Sequence, residues 1–491
     1  MTLAVIVVYL ALVLAIGLWS HRLFRGTGED YFVATRSIGP FVLLMSLFGT
    51  HMTAFSLLGA SGEAYRTGIG VFALMASSSA IVVPAVIYFV ATRMWAVGKR
   101  LGLVTQVEYF RARWDSEAVG LLLLVVVVVL LVPYLLIGVM GGGVTLQQIS
   151  GGAVPRWVGG LLVSAVVLVY VTYGGLRGTA WANTFQTLVF MSLGALTAVY
   201  IARELGGVGP ALAKVAESHP RLFVREGSIR PSTMLSYTLI PLSAGMFPHL
   251  FMHWLSAKKL DSFKLSMVAY PLCLLAVWLP SVLLGVLGHA SFPDLQGPEA
   301  SSILIRMIHH HAPELLAGLL AAGVFAAIMS SLDSQVLSLG TLFTRDVVRR
   351  YRRGKPLEER QEVLIGRVFV IAILTVTFVW SLVAQPSIFA IAVWSFTGFA
   401  ALFPLAVAAL YWRRSTKVGA IAAIVSVAAL WVYFYLDGAA GGGYTVGGTG
   451  ILPVAVMVAV SALALVVGSL VSQPPAAEVL ERFFPAGPRA S

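Results

Sequence analysis

One cysteine, Cys273, stands in a chain of 491 residues. An intramolecular disulfide and a cysteine metal cluster are both excluded. Charge is scarce too: 11% of residues are charged, against about 25% in an ordinary soluble domain. With 58% hydrophobic residues, a soluble protein would lack the polar surface to cover itself. No Walker sequence occurs, which argues against an ATP-driven pump. The Gly-rich stretch from Gly438 to Gly450 has no Lys-Ser/Thr after it and no strand before it. It reads as a flexible turn and not as a phosphate cradle. The first apolar run starts at Thr2 with no positive residue ahead of it, unlike a signal peptide. Arg22 and Arg25 follow it, which predicts a retained helix with its N-terminus outside.

What is present is a series of long apolar runs separated by short charged loops. Thirteen are long enough to cross about 30 Å of hydrocarbon. They lie near 2–20, 40–61, 70–97, 118–146, 156–173, 179–204, 234–256, 265–291, 312–344, 363–385, 388–411, 417–436 and 451–471. Alternate loops then hold 25 of the 33 Lys and Arg residues, with the densest cluster at Arg345 to Arg360. That bias predicts those loops to be cytoplasmic. The net charge of +12 therefore points to membrane topology, not to nucleic acid. The expected class is an all-α integral membrane protein with thirteen transmembrane helices in one transporter domain, residues 1–471. A cytoplasmic tail, 472–491, follows.

Two spans carry residues that a plain membrane helix does not need. The second holds Gly49, Thr50, His51 and Thr53 at mid-span. Backbone that unwinds at this depth is tolerated where it lines a cavity or ion site; the alternative is a small-residue packing face. The ninth holds Ser330, Ser331, Asp333 and Ser334. Ser330 and Asp333 share a helix face, with Ser334 one turn on from Ser330. A mid-span carboxylate costs a few kcal/mol unless paired, solvated or protonated. Three oxygen side chains on one face suit a hard monovalent cation, though serines also bond back to their own helix.

The stretch Ala321 to Asp346, AAGVFAAIMSSLDSQVLSLGTLFTRD, resembles the signature helix of the sodium:solute symporters. Glu29 to Gly39, Thr105 to Arg113, Tyr173 to Gln186 and Trp412 to Ala420 resemble further elements of that family in order and spacing. The resemblance is closer to proline-, pantothenate- and monocarboxylate-type members than to sugar-type ones. It implies a leucine-transporter-like core of two inverted five-helix repeats, here 40–204 and 234–411. A leading helix and loop (1–39) and two trailing helices (412–471) would flank them. It also implies a sodium site made by backbone carbonyls of Gly49, Met52 and Ala327 with the side chains of Ser330 and Ser331. Many members have Asp where this chain has Asn183, so Asp333 is expected to supply the missing charge. Asn183 and Asp333 are the ion-coupling candidates.

Pro248 in the seventh span should break the helix. That would turn His249, with His51, toward a central cavity; each is otherwise a packed histidine bonded to a carbonyl. Phe55, Ser56, Trp394, Phe396 and Thr397 are further pocket candidates. The expected activity is sodium-coupled symport of a small carboxylate, amino acid or pantothenate-like acid in a bacterial plasma membrane. Sodium is the coupling ion, and no cofactor, transition metal, catalytic residue or obligatory protein partner is implied beyond solute and lipid. Proton coupling is one alternative. Solute sensing without transport is another, against which the short tail after the last span argues. His309-His310-His311 reads as the start of an outer helix.

Overall fold

A computed structural model describes residues 1–20, 36–224, 229–352, 359–383, 387–439 and 443–484. Arg22, Arg25 and the 29–35 part of the first loop element lie outside the described residues, as do the side chains of 172–175 and 177. Among the described residues the chain is helical throughout, apart from one isolated β-bridge between Ile38 and Ala257.

Among the described residues nine helices are long and apolar enough to cross a membrane, and a bent pair, Pro40–His51 with Phe55–Thr67, makes a tenth crossing. Two shorter apolar helices, Thr2–Ile16 and Arg156–Val171, accompany them. The Glu314–Tyr351 helix is the centre of the bundle, with an almost wholly buried surface from Ala317 to Leu342. The Leu364–Val383, Lys417–Leu436 and Pro453–Leu470 helices are peripheral and expose Val376, Val379, Val432 and Leu463 on their outer sides.

Sequence chemistry accounts for the helix starts. Pro40 opens its helix at the first position, where its missing N–H costs nothing. Ser387 and Thr416 accept hydrogen bonds from Ala390 and Gly419 as N-caps. Thr105 and Glu108 form a reciprocal capping box at the Gln106–Trp114 helix.

Two elements differ from the sequence reading. The second span runs on to Thr67, because Glu63 and Arg66 pair along the helix at 3.3 Å. The seventh is a chain of short pieces: Pro231–Tyr237, a 3-10 turn at Ile240–Gly245, and Pro248–Leu255. Pro248 starts the last piece after an extended Phe247. The expected division between 156–173 and 179–204 is reflected in two helices, Arg156–Val171 and Gly178–Glu204. Tyr170 and Gln186 lie within side-chain reach of each other, where a straight helix would separate them by about 24 Å. The chain therefore doubles back between these two helices.

Contacts sort the loops onto two faces. On one, the N-terminus pairs with Glu314, Tyr65 bonds Phe292, and Gly68 packs on Leu222. There the segment between the last two long helices is strapped down. Arg230 and Thr233 donate to the carbonyls of Gly448 (2.6 Å) and Gly450 (2.7 Å), and the Leu452 N–H donates to Ser236 (3.1 Å). On the other face lie Arg36 on Leu103, Arg100 on Arg482, Arg350 on Glu117 and Arg414 on Ser469.

Candidate functional site

The Pro40–His51 helix stops at Met52, which is extended (φ −83°, ψ 129°), and a new helix starts at Phe55 at an angle of 61°. A helix end leaves its last carbonyls without intrahelical donors. The Phe48 carbonyl takes the Met52 N–H at 2.9 Å, so Gly49 is the first carbonyl left over. Ser330 of the central helix fills that role, donating its hydroxyl to Gly49 O at 2.8 Å and lying 3.2 Å from Ala327 O. Gly49, Ala327 and Ser330 thus meet at one point. Gly49 must be glycine there, since a Cβ would fall 2.1 Å from Thr187 Oγ1. Met52 is buried beside the break. Ser331 accepts from Gln335 at 2.7 Å and lies within reach of the Tyr134 hydroxyl.

One turn along, Asp333 is fully buried. The Tyr170 hydroxyl donates to Oδ2 at 2.8 Å and Ser334 to Oδ1 at 3.0 Å. Asn183 donates to Ser334 at 2.9 Å, and His253 Nε2 lies 3.2 Å from the same oxygen. Asn183 Oδ1 and both ends of Gln186 are buried without hydrogen-bond partners. No Lys or Arg pairs with Asp333 among the described residues. A lone carboxylate ringed by neutral oxygens in an apolar bundle is chemistry suited to a cation.

Beyond the break lies an aromatic chamber. Phe247 packs against His51, Tyr134, His249, Phe396 and Phe399 with ring centroids 5.0–6.1 Å apart. His51 Nδ1 and the Tyr270 hydroxyl are hydrogen-bonded at 2.5 Å. His249 is 1% exposed, and neither ring nitrogen has a partner. Ser56 Oγ is likewise buried and unpaired. Phe55 touches Phe396 and Phe389, both at 5.3 Å. Phe389 in turn lines a vestibule of about 420 Å³, with Glu63, Arg66, Tyr237, Trp394 and Thr397. Trp394 also stacks on Trp431 at 4.9 Å, and Thr397 bonds back to Val393. Those two candidates sit on the vestibule wall, not in the chamber.

The opposite face is pinned. Thr105 and Arg111 hold the buried Asp346 at 2.6 and 2.9 Å. Arg113 donates to Ala409 O, Trp412 O and Ser415 Oγ, each at 3.0 Å. Burial lowers the Arg113 pKa to about 10. Two motifs that are far apart in sequence, Thr105–Arg113 and Trp412–Ala420, therefore meet here.

Tyr134, Tyr170 and Tyr270 were not among the sequence candidates. Each is a tyrosine inside an apolar run, and a buried tyrosine hydroxyl normally finds a polar partner.

The model of the sodium:solute symporter family matches residues 31–426. The chain is 25% identical to the osmoregulated proline transporter OpuE of Bacillus subtilis (strain 168) over 438 residues, 87% of each. It is 27% identical to a sodium/proline symporter of Staphylococcus aureus (strain JH9) over 457 residues, 88% of this chain and 86% of the other. Its fold matches a substrate-bound, outward-open Na+-coupled sialic acid symporter with a TM-score of 0.80 at 17% identity, covering 97% and 98% of the two chains. The nucleobase-cation-symport-1 transporter Mhp1 in a closed conformation follows at 0.60 and 14%, covering 93% and 99%.

Proposed function

The chain belongs to the sodium:solute symporter family and performs sodium-coupled symport, and we propose that its solute is a small amino acid or carboxylate of the proline type. The proline transporters among its relatives support that solute class. So does the chamber, which offers the unpaired ring nitrogens of His249 between aromatic walls.

The sodium seat is Gly49, Met52, Ala327, Ser330 and Ser331. The observation that carries it is the Ser330 hydroxyl on the Gly49 carbonyl, left open by the broken helix. Carbonyl and hydroxyl oxygens bind sodium without neutralising it, so the ion can leave again. Asp333, with Asn183 and Ser334, forms a second cation seat, for sodium or a proton. Asp333 thus places on the central helix the carboxylate that the family resemblance leads one to expect at the Asn183 position.

The solute enters through the vestibule and passes the Phe55–Phe389–Phe396 barrier. It then sits beside His51 and His249. Sodium at the break steadies Phe55 and Ser56, so ion and solute raise each other's affinity. Release follows when the pinned face opens. Thirteen crossings, ten of them in a leucine-transporter-like core of two inverted five-helix repeats, 40–204 and 234–411, frame this cycle. The vestibule face is outside, the pinned face is cytoplasmic, and the membrane is a bacterial plasma membrane.

Uptake of labelled proline and small carboxylates into proteoliposomes, driven by a sodium gradient, tests the reading. Accumulation of one such solute only with sodium is expected. Uptake driven by a pH gradient in sodium-free buffer would convert Asp333 to a proton carrier, and failure of every compound would sink the solute class.

A further inference from the structure

The pinned face contains a cavity of about 630 Å³, away from the aromatic chamber. Five arginines line it (Arg111, Arg345, Arg349, Arg350 and Arg482), against the carboxylates of Glu108, Asp115 and Glu117. Three of the arginines are already committed: Arg111 to Asp346, Arg345 to Glu108 and Arg350 to Glu117. Arg349 and Arg482 have no ion pair among the described residues. The wall therefore keeps a positive excess, presented by planar guanidinium groups whose paired N–H donors match phosphate oxygens.

Depth in the membrane narrows the ligand. Glu117 begins the Glu117–Ile149 helix. Leu121 and Val125, on the same side one and two turns later, are 46% and 53% exposed and face the acyl chains. The rim at Glu117 thus lies about 6 Å beyond the apolar surface. That is the level at which lipid phosphates sit, and basic pockets between membrane helices on one face suit anionic headgroups.

We propose that this cavity seats the phosphate of an anionic lipid headgroup. The ligand would span three elements: the Gln106–Trp114 helix, the inner end of the Glu314–Tyr351 helix, and the Ala477–Phe483 helix. That last helix is docked by Phe483 against Tyr109 and by Arg100 on the Arg482 carbonyl. Occupancy therefore favours the closed state of this face.

The test uses the full chain in detergent, titrated separately with short-chain phosphatidylglycerol, short-chain phosphatidylcholine and inorganic phosphate, with thermal shift and native mass spectrometry as readouts. Phosphatidylglycerol is expected to bind and stabilise, and the R349Q/R482Q double variant to bind it about tenfold or more weakly, given the usual gain per basic residue near anionic lipid. Inorganic phosphate binding as tightly, with the same loss in the variant, would keep the phosphate chemistry and overturn the lipid source. Equal binding of the two lipids, or an unchanged affinity in the variant, would overturn the proposal. Should the variant fold poorly, the unaltered chain decides: its phosphatidylglycerol binding must weaken as choline chloride is raised, since partly exposed charges are screened. Salt-independent binding refutes the site.

Discussion

The Ser330 hydroxyl donates to the Gly49 carbonyl at 2.8 Å, joining the centre of one helix to the broken end of another. This one bond marks where the bent crossing and the central helix share polar atoms in an otherwise apolar contact. Replacing Ser330 with Ala removes one oxygen and leaves the Gly49 carbonyl buried without a donor.

Sodium dependence reads out that loss. In the Ser330→Ala protein, the sodium concentration for half-maximal uptake should rise about tenfold or more, equivalent to ~1.4 kcal/mol or more. Maximal uptake at saturating sodium should fall far less. Gly49→Ala should be more severe, because its Cβ meets Thr187, and a lower thermal midpoint should accompany the transport loss. An unchanged sodium curve for Ser330→Ala would remove Ser330 from the seat.

Asp333 separates charge from structure. Asp333→Asn keeps the shape: its one carbonyl oxygen accepts from Tyr170 or Ser334 while its NH2 donates to the other hydroxyl oxygen, so the protein should stay folded while sodium coupling weakens. Asp333→Ala strands both donors at a cost of about 1–3 kcal/mol each and should also lower thermal stability. Restoring a carboxylate in Asp333→Asn/Asn183→Asp should recover part of the sodium response, since Asn183 already touches Ser334. Sodium-dependent uptake equal to that of the parent in Asp333→Asn alone would exclude this cluster from coupling.

His249 should divide solute from ion. Its two ring nitrogens are buried and unpaired, so His249→Ala removes no hydrogen bond within the protein. The half-saturating solute concentration is expected to rise about tenfold or more, in the range of a lost buried hydrogen bond to a charged group. Sodium-induced thermal stabilisation should persist. A parallel loss of both responses would mean that His249 supports the fold and not the solute.

Asp346 holds the pinned face. Removing one partner of a buried ion pair typically costs about 3–5 kcal/mol; Asp346→Ala leaves Arg111 with only its 3.4 Å contact to the half-exposed Glu117, so the loss should fall toward the low end of that range. The variant should populate the state open on that face. Labelling of a cysteine placed at Ala112, in a background where Cys273 is Ser, should become faster than in the same background with Asp346 intact. Thr105→Ala, which removes only the 2.6 Å hydroxyl contact, should show a smaller effect in the same direction. Equal labelling rates would separate this network from gating.

The apolar runs made the crossings legible, because a membrane helix must bury about twenty apolar residues in succession. The break was legible too: Gly49, Thr50, His51 and Thr53 are costly at mid-span, and the helix ends at His51. Its outward continuation to Thr67 was not. Glu63 and Arg66 look like loop residues until their pairing along the helix is seen. Tyr134 and Tyr170 were invisible as site residues because nothing in an all-apolar run says which side faces the bundle. Trp394 was drawn toward the chamber by its neighbours in sequence, while its ring is taken up by Trp431.

The strap that ties Gly448 and Gly450 to Arg230 and Thr233 gives the peripheral helices a hold on the vestibule, since Tyr444, Gly448 and Gly450 form part of its wall. On the proposed entry route, an antibody fragment raised against residues 443–452, or a protease that cuts there, is therefore expected to slow solute entry without contacting either cation seat. A handle on transport would then lie outside the elements that do the transporting.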